Sequence, residues 1–515
     1  MMEADYDVVI IGGALAGAGM GILLKRESPE ARVLIVERSE AFSFKVGEST
    51  SEVGSAFLIR VLRLGSWLSR EQIAKNGLRF WFNRPENTCA GRCAELGPKL
   101  QVRLPAYQLD RSKLDTHVLG LAAADGCEVV RPGVVRDLHL EGLGRNRLTV
   151  STASGNRTVT AKWVIDASGR AAVIARQRGT LENLEAHPTS SMWCRFQKVG
   201  DLDSHEMAGL HPEMSKRVWS QRSTATNHLT GDGWWAWVIP LQGGEVSVGL
   251  TWDRRIFTPP AEGTIPDRLT AVLRSHPIGR YLMKEAVAVE KDAHFYGTVA
   301  YRNTQVIGDG WATVGDASGF MDPLYSHGLD FVGNTVWAVH RIVSDSLRGA
   351  DVQERIAAYE LNYRESFQRW FTSLYQDKYQ YIGDAELMNA AVLMDVGCYF
   401  IGPVKMVMDD HHKNLASLPY GGPVGAAFGK FMTFYNRRLA HLGRRRREQG
   451  NFGPKNLDQH FIFRDSFHPG YAVRKLIFTG MRAWLKAEWS MRWGQRKPQP
   501  MPQLTPEVTP LSPVP

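Results

Sequence analysis

The chain has 515 residues, of which 43% are hydrophobic and 22% are charged, and its formal net charge is +9. This length and apolar content exclude a disordered chain or a small disulfide scaffold, and they predict a large globular protein with room for a cofactor cavity. We find no apolar run of eighteen residues and no charged-then-apolar leader. We therefore expect a cytoplasmic protein without a transmembrane segment.

The five cysteines are scattered and odd in number: Cys89, Cys93, Cys127, Cys194 and Cys398. Cys89 and Cys93 have the spacing of half a metal site, but no second pair of cysteines accompanies them. We therefore expect free thiols in a reducing compartment and no bound metal.

The basic excess gathers late in the chain, in Arg437, Arg438 and residues 444–447. A nucleic-acid groove would need basic residues spread along it, so no nucleic-acid partner is expected. Two interpretations stay open, a solvated basic helix face and a site for an acidic partner or an anionic surface.

The first predicted element is a dinucleotide-binding strand–turn–helix–strand unit. The apolar run 8–11 enters a glycine turn, an apolar helical pattern follows, and a second run, 33–36, ends at an acid. Glycines let the backbone approach a pyrophosphate, the helix amides point at it, and the acid binds a ribose hydroxyl. Ala14 stands where the middle glycine of the usual pattern belongs. The residues predicted to bind are Gly12, Gly13, Ala16, Gly17, Glu37 and Arg38.

Further along, a loop at 44–50 precedes an amphipathic helix at 57–64, and Lys75 introduces an aromatic strand at 78–82. A helix opening near Arg111 leads to a short strand at 128–130. A strand ends in Asp-Ala-Ser-Gly-Arg at 166–170, and alternating strands fill about 190–289. The chain then returns to a strand ending in Gly-Asp at 315–316, and a mainly helical stretch follows.

The last nineteen residues are rich in proline and lack periodicity, which predicts a disordered tail. The predicted divisions are 1–185 (first nucleotide-binding part, with the loop and Lys75), 186–298 (antiparallel sheet), 299–345 (second nucleotide-binding part), 346–496 (helical region) and 497–515 (tail).

Three separated segments point to one cofactor. Besides the N-terminal unit, Arg111 at a helix start is suited to a phosphate, and Asp316 at a strand end is suited to a ribityl hydroxyl. Taken alone, Asp316 is also consistent with capping the next helix. Together with the polar turn at 166–170, the three segments resemble the FAD-binding fold of the aromatic hydroxylases. FAD is therefore favoured over NAD.

Two further motifs narrow the resemblance. Residues 235–240 match W-x-W-x-I-P, and residues 320–328 match F-x-x-P-x-x-S-x-G. Together they resemble the flavin-dependent halogenases, over residues 5 to about 345. The resemblance implies an α/β fold. Its parts are a Rossmann-type, aromatic hydroxylase-like FAD-binding core, an inserted antiparallel β-sheet and a mainly helical C-terminal region.

The resemblance also implies roles for particular residues. The family needs a lysine between flavin and substrate, and Lys75 fits that place, with Lys45 as the rival. Halide is expected at His327 and Gly328, and Gly328 and Leu329 are expected beside the cofactor. The implied reaction uses FADH2 from a separate flavin reductase, and it guides hypohalous acid to Lys75 to add chlorine or bromine to an aromatic ring.

The chain departs from the tryptophan halogenases in one position of the second motif. They carry glutamate before the motif serine, whereas this chain has Tyr325. We therefore expect a ring that undergoes electrophilic substitution without the help of that glutamate, namely a phenol, a pyrrole or a ring tethered to an acyl carrier protein. His327 also replaces the small residue usual at its position.

Two alternatives stay open from the sequence. One is a flavin monooxygenase or dehydrogenase that does not halogenate, and the other is a flavin-binding sensor or scaffold. Near the C-terminus, Trp484, Leu485, Trp489 and Trp493 recur at helical spacing beside basic residues. This pattern predicts either a helix that closes the substrate cavity or a docking face for an acidic carrier protein.

Overall fold

A computed structural model describes residues 4–102, 104–409, 418–463 and 471–493. Two eight-stranded sheets and a helical C-terminal part make up the fold. The predicted α/β class is confirmed. The predicted disordered tail lies outside the described residues.

The first sheet is built around parallel strands and forms the nucleotide-binding part. β1 pairs in parallel with both β2 and β10, and β10 pairs in parallel with β19. Helices cover the sheet, and in agreement residues 8–11 of β1 and the whole of β2 are continuous apolar runs. Its strands are β1 (Tyr6–Ile11), β2 (Val33–Val36), β7 (Glu128–Val130), β8 (Val134–His139), β9 (Asn146–Thr152), β10 (Gly155–Asp166), β18 (Ile307–Gly308) and β19 (Trp311–Thr313).

The second sheet is mainly antiparallel and carries the tryptophan motif on its central strand β14. The predicted insert supplies β12 to β16. Strands from outside the insert extend the sheet, because β4 pairs in parallel with β13 and β21 pairs in parallel with β5. Its strands are β4 (Leu78–Phe82), β5 (Ala94–Pro98), β12 (Thr189–Gln197), β13 (Thr226–Gly231), β14 (Trp234–Pro240), β15 (Val246–Asp253), β16 (Val287–Tyr296) and β21 (His460–Phe463).

Two small sheets connect these layers. One pairs β3 (Ile73–Ala74) with β6 (Tyr107–Gln108), which fixes the chain just before Lys75. The other contains β11 (Leu181–Asn183), β17 (Tyr301–Asn303) and β20 (Gly319–Phe320).

Fifteen α-helices are present in the described residues. Three π-helical turns interrupt or extend them, at Phe57–Val61, Phe371–Tyr375 and Phe400–Val404. The predicted helix at 57–64 therefore begins earlier, at Glu52. The helices are α1 (Leu15–Glu27), α2 (Glu52–Ala56), α3 (Gly65–Glu71), α4 (Arg111–Ala124), α5 (Val173–Arg178), α6 (His205–Leu210), α7 (Pro212–Arg217), α8 (Ile265–Arg274), α9 (Pro277–Leu282), α10 (Gly328–Leu347), α11 (Gln353–Trp370), α12 (Ala385–Tyr399), α13 (Lys405–Asp409), α14 (Gly422–Glu448) and α15 (Tyr471–Trp493).

One stretch in the described residues, Ala385–Asp409, has the length and hydropathy of a membrane span. However, 61% of its most apolar window is buried inside the protein, against the neighbouring helices α14 and α15. The stretch therefore packs as a core helix of the C-terminal part.

The late basic run is less exposed than a solvated helix face. Arg446 is 3% exposed and bonds Asp384 and Glu386, and Arg447 pairs with Asp232. These two arginines hold α14 against the rest of the protein. The exposed guanidinium groups of this helix belong to Arg437, Arg444 and Arg445.

Candidate active site

A cavity of about 700 Å³ lies between the first and second sheets, and we call it the large cavity. It brings together the three chain segments predicted to hold FAD. Its lining also includes both tryptophans of the W-x-W-x-I-P motif. The predicted residues on its wall are Gly12, Ala16, Glu37, Arg38, Arg111, Asp316, Gly328 and Leu329.

The glycine turn after β1 brings α1 against the strand. A Cβ on Gly17 would lie 1.9 Å from the carbonyl oxygen of Gly12, and Gly12 has a φ of +101°. Both positions therefore need glycine. Gly13 lies behind the cavity wall, where its N–H donates to Glu37 Oε2 at 2.7 Å. The other oxygen of Glu37 accepts from Ser39 N at 2.8 Å, so this carboxylate ties the two turns together.

Asp115 is a cofactor-side residue that sequence reasoning missed. Its carboxylate accepts from Arg111 at 3.1 Å and from the backbone N–H of Leu15 at 3.1 Å, and it pairs with Lys45 at 2.5 Å. These contacts lower the pKa of Asp115 against the effect of its burial. The available signal was its position four residues after Arg111, on the same face of α4.

Asp316 lies on the turn after β19 and lines the large cavity. Its carboxylate has no hydrogen-bond partner among the described residues. Burial raises the pKa of Asp316, and the positive charges of Arg111 and Lys45 oppose that rise. An unpartnered carboxylate on a cavity wall is suited to accept from a ligand hydroxyl. The large cavity therefore fits FAD: it has a helix N-terminus and cations for a pyrophosphate, and a free carboxylate for a polyol.

The F-x-x-P-x-x-S-x-G motif forms the wall between the large cavity and a second cavity. Tyr325 and Ser326 have φ values of 69° and 63°, so the chain turns sharply before α10 begins at Gly328. Ser326 and Gly328 line the large cavity, whereas the side chains of Tyr325 and His327 line the second one. The predicted halide residues thus lie on opposite sides of one turn.

We call the second cavity the small cavity, because its volume is about 70 Å³. Lys75 lines it and is 7% exposed. The ammonium of Lys75 donates to Thr50 O at 2.7 Å and to Ser326 Oγ at 3.4 Å. Burial lowers the pKa of Lys75 from 10.5 to about 8, against the attraction of Glu52 and Asp330. Lys75 is therefore at the wall that separates the two cavities.

Polar contacts hold the aromatic side chains of the small cavity in place. His327 Nδ1 hydrogen-bonds the hydroxyl of Tyr375 at 2.8 Å, and burial lowers the pKa of His327 to about 3, so its ring is neutral. Tyr325 donates to Asp395 at 2.9 Å, and Lys378 donates to the same carboxylate oxygen at 2.7 Å. The ammonium of Lys378 therefore neutralises the buried carboxylate of Asp395.

The tryptophan motif has a fixed orientation on the wall of the large cavity. Trp235 Nε1 donates to the hydroxyl of Tyr379 at 2.8 Å, which in turn donates to Asp322 at 2.9 Å. His187 bonds the same carboxylate at 2.8 Å. Asp322 belongs to the second motif, so this chain of hydrogen bonds joins the two motifs.

The loop at 44–50 is fastened to the second sheet by a contact that sequence reasoning missed. Arg195 on β12 donates to Glu48 at 2.7 and 3.1 Å, and its guanidinium lies 3.6 Å from the ring centroid of Phe44. Residues 147 positions apart leave no local signal for such a pair.

The C-terminal helix α15 packs against α12, and α12 in turn lines the small cavity. Among the described lining residues of either cavity, none belongs to α15, so the expectation that this helix closes the substrate cavity is wrong. Trp484 packs against Tyr435 instead, whereas Leu485 and Trp489 are exposed.

Comparison with known proteins agrees with this geometry. A family model described as tryptophan halogenase matches residues 67–380, which is more than half of the chain. A flavin-dependent halogenase from Dictyostelium discoideum is 25% identical over 430 residues, covering 77% of this chain and 69% of that protein. A pyrrole-2-carbonyl carrier-protein chlorinase from Pseudomonas fluorescens is 24% identical, covering 72% and 83%.

The same fold occurs in a solved halogenase structure. The crystal structure of halogenase PltM with phloroglucinol and FAD has a TM-score of 0.74 at 20% identity, covering 94% of this chain and 98% of that one. The family match and the cavity shaped for FAD lead to one conclusion: the chain belongs to the tryptophan halogenase family of flavin-dependent halogenases, enzymes that use FAD.

Proposed function

We propose that this protein adds chlorine or bromine to an electron-rich ring, a phenol or a pyrrole, with hypohalous acid guided to Lys75. One observation carries the proposal. The ammonium of Lys75 faces the small cavity and lies 3.4 Å from Ser326 Oγ, and Ser326 lines the large cavity. Lys75 is thus the cation through which an electrophile would pass from one cavity to the other.

FAD would be held by the glycine turn around Gly12 and Gly17, by Glu37, by Arg111 and by Asp316. Ala16, Arg38 and Leu329 would complete the walls of its site, and Gly13 would support them from behind through its hydrogen bond to Glu37. When bound in its reduced form, FAD supplies the chemistry that turns dioxygen and halide into hypohalous acid. A separate flavin reductase would deliver the reduced cofactor.

The two candidate lysines have different surroundings, and these favour different roles. Lys45 ends on Asp115 at 2.5 Å, inside the large cavity and beside Arg111. It is therefore suited to the phosphates of the cofactor. Lys75 has no carboxylate within ion-pair distance among the described residues, and its two hydrogen bonds, to Thr50 O and Ser326 Oγ, leave one N–H for an oxidant.

The halide would lie at the turn of Ser326, His327 and Gly328, where α10 begins. The helix N-terminus offers backbone donors and a positive dipole end. The imidazole of His327 is neutral and faces the other side of the turn. We therefore assign halide contact to the backbone of His327 and Gly328 rather than to the imidazole.

The wall of the small cavity favours rings that carry an activating lone pair. Tyr325 stands where the tryptophan halogenases have glutamate, and its hydroxyl is engaged by Asp395. A phenol or pyrrole stabilises the positive charge of the intermediate through its own oxygen or nitrogen. The small cavity is smaller than the roughly 150 Å³ cavity that holds benzene, so binding of a ring requires it to widen.

The test combines the protein, a generic flavin reductase, FAD and either chloride or bromide with a panel of phenol, 4-methylphenol, indole and pyrrole. We expect a product whose mass rises by the halogen substituted, only when halide is present. Hydroxylated products that form regardless of halide would instead establish the monooxygenase alternative. FAD binding without oxygen consumption would establish the sensor or scaffold.

The ring would reach the protein either free or on an acyl carrier protein. The pyrrole chlorinase acts on a carrier-bound ring, and exposed arginines on α14 offer charge to an acidic carrier. We propose that Arg437, Arg444 and Arg445 form this contact. Equal turnover of a free aromatic acid and its carrier-bound form would assign a free substrate instead.

A further inference from the structure

Two carboxylates, Glu52 and Asp395, line the small cavity, and a third, Asp330, lies close by. Asp395 accepts from both Tyr325 and Lys378. Asp330 lies behind the wall, where it accepts from the hydroxyl of Ser51, from Gly54 N at 2.8 Å and from the hydroxyl of Tyr399 at 3.1 Å. Burial raises the pKa of Asp330 to about 7. Both donors bond Oδ2 of Asp395, and one of them is the ammonium of Lys378, so the charge of Asp395 is already paired. Asp330 has both of its oxygens in hydrogen bonds.

Glu52 is the carboxylate that is free. It is the first residue of α2, and its side chain lines the small cavity together with Lys75. Apart from its own backbone N–H, no group in the described part of the chain is hydrogen-bonded to its carboxylate. Burial raises the pKa of Glu52, and the ammonium of Lys75 opposes that rise. An unpaired carboxylate in an enclosed cavity is costly to keep, which points to a role in the reaction.

We propose that Glu52 is the catalytic base that removes the ring proton of the substrate during halogenation. This inference rests on the proposed function. Tyr325 stands where the tryptophan halogenases have a glutamate, so another carboxylate is needed to accept the ring proton, and we assign that role to Glu52. Tyr325 and Glu52 line the same cavity, so a base at Glu52 reaches the ring from another element of the wall.

The step balances with the two residues acting as a pair. The ring carbon attacks the halogen of hypohalous acid, the carbon–halogen bond forms and the oxygen–halogen bond breaks. The oxygen takes a proton from the ammonium of Lys75 and leaves as water. The ring proton goes to the carboxylate of Glu52, which restores aromaticity. Transfer of that proton from Glu52 to neutral Lys75 resets the site, so ArH and HOX become ArX and H2O.

The two groups line one cavity and influence each other's ionisation. Lys75 with a pKa of about 8 is mainly protonated at neutral pH and can give up its proton more readily than an ordinary lysine. Burial raises the pKa of Glu52, and the neighbouring ammonium of Lys75 opposes that rise.

The experiment measures a hydrogen isotope effect in the variant Glu52→Gln. The probe is the panel member that wild type halogenates fastest, supplied with hydrogen or with deuterium on the ring. Ring halogenation by wild type should show an isotope effect near one, because proton loss to a placed base is fast. In Glu52→Gln we expect halogenation to slow by about 10²- to 10⁴-fold. We also expect a primary isotope effect of at least two, because proton loss then limits the rate.

Three controls keep the result specific. Glu71→Gln removes an exposed acid four residues before Lys75 and should match wild type in rate and isotope effect. Flavin affinity and oxygen consumption of Glu52→Gln should also match wild type, which shows an intact cofactor site. Glu52→Asp, which keeps the carboxylate, should recover part of the rate and lower the isotope effect again.

The outcomes separate this inference from the proposed function. No halogenation by wild type of any panel member, and none of a carrier-bound aromatic acid, would overturn the proposed function. Halogenation by Glu52→Gln at the wild-type rate, or slowed without any isotope effect, would overturn the role of Glu52 and leave the proposed function standing.

Discussion

The two cavities share one wall but are assembled in different ways. Where the cofactor is predicted to bind, the large cavity is lined by three short segments in which neighbouring residues already form a recognisable unit, such as the strand, glycine turn and acid between Tyr6 and Glu37. Strands of the second sheet complete its lining. The small cavity takes its side chains from α2, β4, β5, the turn before α10, α12 and β21. Binding of a common cofactor is therefore encoded largely by local sequence, whereas the predicted substrate site depends on contacts between distant parts of the chain.

The largest effect is expected on FAD binding in the large cavity. Gly17→Leu should abolish FAD binding, because even a Cβ would lie 1.9 Å from the carbonyl oxygen of Gly12. Equilibrium dialysis or flavin fluorescence measures the loss. Asp316→Ala keeps the backbone and should weaken binding by about 10- to 100-fold, as expected for one lost hydrogen bond to a charged acceptor.

Circular dichroism of both variants shows whether the fold persists. Unchanged flavin affinity in folded Gly17→Leu and in Asp316→Ala would place the cofactor outside the large cavity. That result would remove the contrast between the two cavities.

The next largest effect is expected on stability, at a buried ion-pair cluster that joins distant parts of the chain. Glu95 on β5 is fully buried, and it pairs with Arg79 at 2.6 Å and with Arg222 at 2.9 Å. Glu95→Gln leaves two buried guanidinium groups without their counter-ion. We expect the free energy of unfolding to fall by about 3–5 kcal/mol. Denaturant titration measures it, with the exposed pair partner Glu182→Gln as a control that should change it by less than about 1 kcal/mol.

The same contrast explains what could be predicted from the sequence. The strands β1 and β2, the turn between β1 and α1, and Glu37 are adjacent in the chain, so their pattern alone predicts their roles. The two motifs predicted the wall around Ser326 through the family resemblance. Glu48 with Arg195, Glu52 in the small cavity and the strand β21 depend on tertiary contacts over long separations, and periodicity carries no information on such pairs.

A smaller effect of opposite sign is expected at Lys75. The pKa of Lys75 falls from 10.5 to about 8 on folding, so burying the ammonium costs about 3 kcal/mol at pH 7. Lys75→Met removes this cost and loses the hydrogen bonds to Thr50 and Ser326. The variant should be inactive yet more stable by about 1–2 kcal/mol.

The free-energy cost of burying Lys75 depends on pH in a predictable direction. The cost is fully present below pH 8, and it disappears as the pH rises towards 10.5, because the unfolded lysine then also loses its proton. The stability gained by Lys75→Met at pH 7 should therefore shrink by pH 10. If Lys75→Met is instead less stable than wild type at pH 7, Lys75 stabilises the fold. That result would contradict the prediction that burying its ammonium costs stability.

The smallest effect is expected on the outer surface. Charge reversal at Arg437, Arg444 and Arg445 should change the free energy of unfolding by less than about 0.5 kcal/mol, because these groups are exposed. Turnover of a carrier-bound ring should fall several-fold at low salt, and turnover of the free ring should not change. The matched variant Arg446→Gln should instead destabilise the fold, because it breaks a buried ion pair. Equal turnover of the carrier-bound ring by the charge-reversed protein would exclude this docking surface.

We propose that Lys75 acts after the oxidant has formed, on the far side of the wall from the cofactor. The most direct test measures halogenated product formed per oxygen consumed, at saturating FAD, in Lys75→Ala and Lys45→Ala. Lys75→Ala should bind flavin and consume oxygen as wild type does, and its ratio should fall at least 100-fold. Lys45→Ala should need more FAD and keep the wild-type ratio. An unchanged ratio in Lys75→Ala, with the loss in Lys45→Ala instead, would contradict the account.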